Sequence, residues 1–397
     1  MKILMFTPYV PYPPHSGGQT RTFNLIKNLS SKHDITSFCF LRVDQPKPEL
    51  LELRKYCSKI NIFPRKRAWA SISKILLTGI SPYPYLANMY FYGSVKRAIE
   101  EELNSHSYDI IHVETYYIMP NLPATKVPIL LAEQTIEYLV YQHFAQASKF
   151  WFLKPFLYTD VAKHQYWERY YWQKARRILA MSEEDKSKML ELVPNLDVDI
   201  VPNGVDIEYF SKPVAVPQKR GQHFLFVGNF NWLQNREAVG ILVEAIWPKI
   251  KSALPQSKLW IVGQNPPDSI RKLAIGDISV SADIEDIRIS YQGSDVLLAP
   301  LYGGGGTRYK ILEAMASGLP VVTTQIGITG IGAKNDYHAL ISNDLGTLAE
   351  LALKVVQNKS LARRLSSNAK RLVEQRFAWT KISAKLDEIY EQTAKED

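Results

Sequence analysis

Short apolar runs separated by polar stretches of helix length recur in two series along this chain, and this alternation constrains the fold most. The first series falls at residues 3–7, 35–41, 110–114, 129–132, 178–181 and 198–201, and the second at 224–227, 259–262, 296–299 and 321–322. Such runs are typical of strands buried on both faces of a parallel sheet that helices cover. The sequence therefore predicts an α/β fold with two parallel sheets.

Residues 203–222 separate the two series. This segment contains several Gly and Pro residues and few regularly spaced apolar ones, as expected of a connection between domains. The 397 residues also exceed the roughly 250 that a single core usually supports. We predict a first domain at 1–202, a linker at 203–222, a second domain at 223–376 and a C-terminal segment at 377–397 whose helix crosses back to the first domain.

Cysteine content and hydropathy indicate the cellular setting. Only Cys39 and Cys57 are present, too few for a disulfide framework, which favours a reducing cytoplasm. No apolar run approaches the roughly 20 residues that a membrane-spanning helix needs.

The formal net charge of +9 favours anionic partners. Much of the excess lies at 54–74 and 149–177, where cations alternate with large side chains such as Trp151 and Phe156. This mixture suits peripheral contact with an anionic membrane surface, such as the inner face of the plasma membrane. A solvated helix face over a core stripe explains it equally well. We predict no nucleic-acid partner, because no recognition module is present.

The glycine run at 303–306 and the segment after it form the most informative stretch. The glycines follow a predicted strand, Thr307 is suited to cap a helix, and Gly318 is suited to end it. A helix N-terminus presents unpaired N–H groups and a partial positive charge. The stretch therefore predicts an anion site.

Two cations, Arg308 and Lys310, fall in the first turn of this predicted helix. Cations there oppose the helix dipole by about 0.3–1 kcal/mol each when exposed, and a bound anion would reverse that cost. We expect Gly305, Gly306, Thr307, Arg308 and Lys310 to bind a diphosphate without a metal ion. A tight turn with two solvated cations is the alternative.

Two further features extend this predicted site. Glu313 lies beside apolar neighbours, and a partly buried carboxylate needs hydrogen-bond donors, which ribose hydroxyls would supply unless an ion pair does. Gly17 and Gly18 follow a proline-rich loop and precede another predicted helix. We expect them to approach the donor phosphate from the first domain, although such a pair most often marks only a turn.

Several ordered motifs together resemble the retaining glycosyltransferases called group 1 or family 4, across nearly the whole chain. They are the proline-rich Gly-Gly loop, DIIHVE at 109–114, SEED at 182–185, VPNGVD at 201–206 and LEAMASGLPVV at 312–322. The closest resemblance is to a bacterial subgroup with a GGTRYK donor loop, associated with envelope or exported polysaccharide.

This resemblance implies the GT-B fold, in which two Rossmann-like domains face a central cleft with the acceptor on the N-terminal side. It implies a nucleotide-diphosphate sugar as co-substrate, no metal cofactor, and transfer with retention of configuration to a glycan or polyprenyl-linked acceptor. Glu313 matches the family's ribose-binding glutamate.

The chain departs from the family pattern at two places in the donor site. Gly305 stands where the family usually has a glutamate near the transferred sugar, which puts the orientation of the sugar in doubt. Asn229 stands where many members carry a diphosphate-binding arginine, and residues 234–235 lack the lysine that follows. Arg308 and Lys310 would supply the missing charge, with Arg236 as a further candidate.

The predicted catalytic residues are His112 and Glu114. His112 matches the first histidine of the family's Asp-x-x-His-x-His pattern, and Glu114 replaces the second. We expect Glu114 to accept a proton from the acceptor hydroxyl or to steady the sugar, with help from His112, while structural roles for both stay open.

Three residues that follow the predicted strand at 129–132 are expected on the acceptor side, with helix capping as the alternative: Glu133, Gln134 and Glu137. Asp197 and Asp199 have the Asp-x-Asp spacing of metal-dependent transferases but lie at a strand entrance, and we predict no metal site there.

Two other functions fit the same sequence. A sugar-nucleotide epimerase of this fold would bind the same donor without an acceptor, and a catalytically retired nucleotide-sugar-binding protein would bind without turnover. Product analysis separates all three. A nicotinamide dehydrogenase is disfavoured because no G-x-G-x-x-G follows the first strand.

Overall fold

The computed structural model describes residues 1–44, 50–66, 72–216, 221–303 and 307–395. The chain divides into two compact units, of which unit 1 comprises residues 1–202 and 380–397 and unit 2 comprises residues 203–379. No helix in the described ranges has the length and apolar character that a membrane span requires.

Unit 1 is built on a seven-stranded parallel sheet in the order β3-β2-β1-β4-β5-β6-β7. Its strands are β1 (Lys2–Thr7), β2 (Asp34–Arg42), β3 (Lys59–Arg65), β4 (Ile110–Glu114), β5 (Ile129–Ala132), β6 (Arg177–Ala180) and β7 (Val198–Ile200). Its helices are α1 (Gly17–Leu29), α2 (Ile72–Ile80), α3 (Tyr85–Tyr90), α4 (Gly93–Ser105), α5 (Glu137–Ala147), α6 (Lys154–Lys174) and α7 (Glu183–Leu192), with 3-10 turns at Leu53–Lys55, Tyr116–Asn121 and Trp151–Leu153.

Unit 2 repeats this design with a six-stranded parallel sheet in the order β10-β9-β8-β11-β12-β13. Its strands are β8 (His223–Asn229), β9 (Lys258–Gln264), β10 (Ile278–Ala282), β11 (Val296–Ala299), β12 (Val321–Thr323) and β13 (Leu340–Ile341). Its helices are α8 (Ile207–Ser211), α9 (Leu233–Ile241), α10 (Trp247–Ala253), α11 (Asp268–Arg271), α12 (Arg288–Gln292), α13 (Tyr309–Ala316), α14 (Gln325–Ile328), α15 (Leu345–Gln357) and α16 (Lys359–Arg376), with a π-helical turn at Leu242–Ile246.

The predicted α/β class with two parallel sheets is confirmed. The central strands coincide with the apolar runs because both of their faces are covered; β4, for example, is buried along its whole length. The strands β3, β10 and β13 lie at the edges of their sheets and were not predicted. Their residues are mostly half-exposed, and the continuous apolar run is missing.

The last helix, α17 (Trp379–Lys395), packs within unit 1 from Thr380 onward. Asp387 on this helix accepts a hydrogen bond from Lys32 Nζ at 2.5 Å and lies 2.7 Å from His33 Nε2. Gln392 accepts one from Arg177 Nη1 at 2.9 Å. These polar contacts attach the C-terminal helix to the connection between α1 and β2 and to the sheet of unit 1.

The segment at 203–222, predicted as a linker, belongs to unit 2 wherever it is described. Val205 N donates to Phe377 O at 2.7 Å, and Phe210 of α8 is buried with its ring 5.8 Å from that of Tyr291. The segment is therefore part of the core of unit 2 despite its turn-forming composition.

Candidate active site

The strand order of unit 2 indicates where a ligand binds. The chain begins at β8, builds outward to β9 and β10, and then returns to the other side of β8 to form β11. In open α/β sheets, ligands bind beyond the carboxyl ends of the two strands at such a reversal. Asn229 ends β8, and residues 300–303 lead from β11 toward α13. Asn229 and the segment that leads to α13 therefore lie at the expected edge of the sheet.

Helix α13 begins at Tyr309, and Arg308 is the N-cap. The prediction that Thr307 caps this helix is wrong. Arg308 has an extended backbone, with φ −86° and ψ 105°, so Thr307 lies one residue before the cap. The carbonyl of Thr307 accepts a hydrogen bond from Asn203 Nδ2 at 3.3 Å. Gly305 and Gly306 lie outside the described residues.

The end of α13 follows the prediction. Gly318 has φ +75°, a left-handed conformation that glycine adopts without strain. Leu319 N then donates to Ala314 O at 2.8 Å. The buried face of the helix includes Ile311, Leu312 and Met315, all with 0% exposure.

The N-terminus of α13 is rich in positive charge. No acidic residue lies in the first turn, and the N-cap side chain makes no capping bond. Arg308 Nη2 donates to Gly303 O at 3.2 Å, and Lys310 follows two residues later. Cations and the helix dipole thus coincide, which makes this terminus suited to bind an anion.

Lys310 is the most perturbed cation of this group. Its Nζ donates to Asn235 Oδ1 at 2.6 Å and lies 4.5 Å from the centre of the Phe226 ring. Burial, and then the charge of Arg308, lower the pKa of Lys310 to about 7, although Glu313 acts in the opposite direction. The amine is therefore partly neutral near neutral pH, and a bound anion would favour its charged form.

Glu313 is partly buried, as predicted, and its partner is a hydroxyl rather than a cation. Tyr291 OH donates to Glu313 Oε2 at 2.6 Å. Burial raises the pKa of Glu313, and the hydrogen bond from Tyr291 and the charge of Lys310 offset this only in part. Tyr291 OH thus donates to one carboxylate oxygen of Glu313, and ribose hydroxyls would supply further hydrogen bonds.

Asn229 and Arg236 stabilise the turn after β8. Asn229 Nδ2 donates to Gln264 Oε1 at 3.1 Å, and its Oδ1 accepts from Asn231 N at 3.0 Å. Arg236 Nη1 donates to Phe230 O at 2.8 Å. These bonds fix the turn that leads into α9, the helix that carries Asn235, the partner of Lys310.

In unit 1, Glu114 and His112 lie on the same face of β4, since they are two residues apart. Both are fully buried. Glu114 Oε2 accepts a hydrogen bond from Gln134 Nε2 at 2.6 Å. Glu114 Oε1 lies 3.4 Å from His112 Nε2 and 3.9 Å from Arg21 Nε. On its other side, His112 Nδ1 lies 2.5 Å from Tyr390 OH.

Charge compensation decides the state of Glu114. Burial raises its pKa, but the contact with His112 and the charge of Arg21 outweigh burial, so the pKa is lowered. Arg21 is itself fully buried on α1, where its Nη1 donates to Pro202 O at 2.9 Å. The carboxylate is therefore held ionised inside unit 1.

The glycine loop of unit 1 packs against this network. Gly17 and Gly18 open α1, with Ser16 as the N-cap. A Cβ on Gly18 would lie 2.6 Å from Gln134 Oε1 and 2.7 Å from Tyr9 OH. The absence of a side chain at Gly18 therefore admits Gln134, which is half-buried and connects Glu114 toward the surface.

Glu133 and Glu137 lie beside Glu168 of α6. Trp172 Nε1 donates to Glu133 Oε1 at 3.1 Å, and Glu168 accepts from the backbone N–H groups of Glu137 at 2.5 Å and Tyr138 at 3.0 Å. Glu168 thus caps α5. Burial first, and then Glu168, raise the pKa of Glu133 well above its usual range, and burial raises that of Glu137 to about 7.

Asp197 and Asp199 are partners of Arg177. Arg177 Nη2 lies 2.9 Å from Asp197 Oδ2 and Nη1 lies 3.2 Å from Asp199 Oδ2. The two carboxylates of the Asp-x-Asp motif therefore form ion pairs with the arginine at the start of β6.

The structure adds residues that the sequence did not indicate: Arg21, Tyr390 and Tyr9 in unit 1, and Tyr291 in unit 2. Arg21 left a signal, because it falls in helical register with Leu25 and Leu29, where an apolar residue is expected. Tyr390 is 278 residues from its partner His112 in the sequence, and Tyr291 is 22 residues from its partner Glu313. No local sequence pattern reveals such contacts.

Comparison with known proteins agrees with this description. The family described as "Glycosyl transferases group 1" matches residues 221–358, and "Glycosyltransferase Family 4" matches residues 15–209. Phosphatidyl-myo-inositol mannosyltransferase of Mycolicibacterium smegmatis is 24% identical over 323 residues, which are 78% of each chain.

Two solved structures are similar in fold. Sucrose-phosphate synthase from Thermosynechococcus elongatus superposes with a TM-score of 0.75 at 16% identity and 99% coverage of both chains. The Anabaena protein HepE, in complex with UDP-glucose, superposes with a TM-score of 0.67 at 15% identity, over 99% of this chain and 100% of that one.

Two units with doubly wound parallel sheets, the second with a cationic helix N-terminus at its strand reversal, define a GT-B protein. The chain belongs to the group 1 (family 4) glycosyltransferases, whose two domains match it in order and span most of its length.

Proposed function

We propose that this glycosyltransferase moves a sugar from a nucleotide-diphosphate sugar to a hydroxyl of a glycan or lipid-linked acceptor, with retention of configuration. The carrying observation is the contact of Lys310 Nζ with Asn235 Oδ1 at 2.6 Å. It brings an amine to the turn after β8, where the family usually provides one from that turn itself. Arg308 and Lys310 of α13 thereby replace the missing cations, and they hold the diphosphate without a metal ion.

The proposed donor orientation follows from the same site. The diphosphate lies at the N-terminus of α13, and the ribose lies against Glu313, one turn further along. The UDP-glucose complex of HepE supports a uridine nucleotide as the first donor to test. The lipid acceptor in the name of the mycobacterial relative supports a lipid-linked acceptor. Together they favour a role in envelope or exported polysaccharide synthesis.

Mass spectrometry of products tests this function. The full chain is incubated with a panel of UDP-, GDP- and dTDP-sugars and with lipid-linked and free glycan acceptors. An acceptor-dependent glycoside is expected, and proton NMR of its anomeric coupling reports retention. An isomerised donor without transfer would favour the epimerase, and bound donor without turnover would favour the retired binding protein. Either outcome contradicts the proposal.

The catalytic assignment of Glu114 and His112 stays a prediction. Both side chains are fully buried, so Gln134 is the group through which their network reaches the surface of unit 1. Glu133, Gln134 and Glu137 stay proposed for the acceptor side. If Glu114 acts in catalysis, Glu114→Gln should lower kcat far more than it weakens donor binding, whereas a folding role would lower stability and leave the remaining folded fraction active.

We also propose peripheral attachment to an anionic membrane surface, through the turn before α6 and its first residues. Trp151 and Phe156 are 79% and 73% exposed, and Lys149 and Lys154 lie beside them. Exposed rings next to cations suit a charged lipid interface. Trp167 and Trp172 of the same predicted stretch are instead packed in unit 1, and Arg67 and Trp69 lie outside the described residues.

Vesicle cosedimentation tests this attachment. Trp151→Ser with Phe156→Ser should abolish binding to vesicles with anionic lipid. Leu51→Ser with Ile275→Ser, at comparably exposed positions of 79% and 75%, should leave it unchanged. Equal losses from both pairs would contradict a defined membrane surface.

A further inference from the structure

Unit 1 contains an apolar pocket whose lining includes none of the predicted catalytic or acceptor-side residues. Its volume is about 540 Å³, within the range of about 300–1,000 Å³ typical of small-molecule sites. Its walls include Phe91, Met119, Leu122, Trp167 and Tyr171. The pocket is thus of ligand size and predominantly hydrophobic.

Polar bonds behind the walls keep the pocket open. Trp167 Nε1 donates to Pro82 O at 2.9 Å, and its ring stacks on Tyr83 at 4.2 Å. Lys163 Nζ donates to the carbonyls of Thr78 and Ser81, each at 2.7 Å. The connection between α2 and α3 is therefore fixed against α6 on one side of the pocket.

The opposite wall is fixed in the same way. Asn121 Nδ2 donates to Tyr90 O at 3.0 Å, and its Oδ1 accepts from Tyr92 N at 3.0 Å. Asn88, which lines the pocket, donates from Nδ2 to Tyr83 O at 3.0 Å. The amides are used within the protein, so the interior presents mainly apolar surface. A hydrophobic ligand would remove this apolar surface from water, which is favourable.

Charge at the pocket indicates what else the ligand carries. Lys96 and Lys174 line it and are exposed. Among the described lining residues none is acidic, and the described part of the chain pairs neither lysine with a carboxylate. Lys174 Nζ lies 5.5 Å from the centre of the Tyr170 ring, which leaves it free to meet an anion. Two ammonium groups without a carboxylate partner among the described residues complement an anionic amphiphile, and lysine binds phosphate as a point charge.

We infer that this pocket binds the apolar chain of a lipid phosphate, with the phosphate at Lys96 and Lys174. The inference rests on the proposed function, because it identifies the acceptor class as a lipid-linked phosphate. Ile129 at the start of β5 lines the pocket, and Glu133 and Gln134 follow the end of the same strand. The lipid site and the predicted acceptor side therefore belong to one strand of unit 1.

Calorimetric titration of the full chain with farnesyl phosphate, without sugar nucleotide, tests the inference. Saturable binding is expected, at least tenfold tighter than binding of farnesol or inorganic phosphate. Dodecyl phosphate, which has a straight chain, tests which kind of lipid the pocket binds. If it binds more tightly than farnesyl phosphate, the natural lipid has an acyl chain, and if it binds more weakly, the natural lipid has an isoprenoid chain. Farnesol that binds as tightly as farnesyl phosphate would overturn the assignment of the phosphate to the lysines.

Two variants localise the binding. Ala124→Trp fills the pocket from an exposed lining position and should weaken farnesyl phosphate binding at least tenfold. Lys96→Glu with Lys174→Glu should weaken farnesyl phosphate by a similar factor and leave farnesol unchanged. Ala384→Trp and Lys385→Glu, at exposed positions of α17 in the same unit, should change neither ligand.

The possible failures are distinguishable. Unchanged affinity for farnesyl phosphate in both pocket variants would overturn the inference. So would a chain that binds no lipid but forms a concentration-dependent dimer that Ala124→Trp abolishes, because the pocket would then bind a second copy of the chain. Sugar transfer without lipid phosphate binding would overturn the pocket assignment alone. Lipid phosphate binding without transfer from any donor would overturn the proposed function alone.

Discussion

Glu114 in unit 1 and Lys310 in unit 2 are both ionisable side chains that the fold withdraws from solvent, and the pKa of each is lowered. For a carboxylate a lower pKa favours the charged form, whereas for an amine it favours the neutral form. Glu114 has His112 and Arg21 beside it, and the contact with His112 and the charge of Arg21 outweigh the effect of burial on its pKa. Lys310 has another cation, Arg308, beside it, and this charge adds to the effect of burial.

The two clusters differ in the charge that lies beside the buried group. Glu114 has the counter-charge of Arg21 within unit 1, although Arg21 Nε and Nη2, His112 Nε2 and Glu114 Oε1 lack hydrogen-bond partners among the described residues. The cluster at the start of α13 contains two cations, a helix N-terminus and a single carboxylate whose pKa is raised. Such a cluster gains most from an external anion, which supports the proposed diphosphate site in unit 2.

The largest effect is expected from Arg308→Ala with Lys310→Ala. Each charge-assisted hydrogen bond contributes about 1.5–3 kcal/mol, so losing two should weaken the binding of UDP or the active nucleotide diphosphate by about 3–6 kcal/mol, roughly a hundredfold or more. Calorimetry measures the dissociation constant.

The matched control replaces two exposed cations of α16, in Lys359→Ala with Arg371→Ala, and should leave the dissociation constant unchanged. Unchanged affinity in the α13 variant would place the diphosphate elsewhere and remove the basis of the comparison.

Removal of the carboxylate should destabilise unit 1. Glu114→Ala leaves Arg21 buried without its counter-charge, which costs about 3–5 kcal/mol of unfolding free energy. Amide hydrogen exchange in β4 measures this locally. Glu114→Leu with Arg21→Met, which removes both charges, should lose much less. If the double variant were the less stable one, the network would not be a compensated pair.

Features with a local sequence signal could be predicted in both units. The central strands, the α13 helix and its glycine end were predictable because their signals are local: apolar runs, a dense motif and a turn residue. The edge strand β3 was missed since its residues are only partly buried. The Thr307 cap was wrong by one residue because the backbone at Arg308 stays extended.

Residues that act through long-range contacts were the ones not predicted. Asn235 was noted only as a missing lysine, and its role as the partner of Lys310 depends on packing between α9 and α13. Tyr390 contacts His112 because α17 packs on unit 1. The loss of a family cation was visible in the sequence, but the position of its replacement required coordinates.

Donor affinity should depend on pH because Lys310 has a pKa of about 7 in the free protein. Below that value the amine is already charged; above it, binding must take up a proton. The dissociation constant should therefore rise by up to tenfold per pH unit above about 7. Calorimetry in buffers of different ionisation enthalpy measures the number of protons that the protein takes up when it binds the donor.

Lys310→Arg is the control for this titration, because arginine stays charged over the whole range, and its affinity should be nearly independent of pH above about 7. A flat profile for the unmodified chain would mean that Lys310 is charged without a ligand. The cluster of unit 2 would then be as well compensated as that of unit 1.

The smallest effect is expected from a matched pair of tyrosine variants. Tyr291→Phe removes the hydroxyl bonded to Glu313, and Tyr390→Phe removes the one beside His112. Both should lower the unfolding free energy, Tyr291→Phe by about 1 kcal/mol more, since the hydrogen bond that it removes is one to the carboxylate of Glu313, and hydrogen bonds to charged groups contribute more than average. Urea unfolding with and without UDP measures both.

Saturating UDP should recover part of the loss in Tyr291→Phe, because ribose hydroxyls donate to the carboxylate, and none in Tyr390→Phe. Equal recovery in the two variants would contradict a ribose at Glu313, since only unit 2 is expected to be completed by the nucleotide.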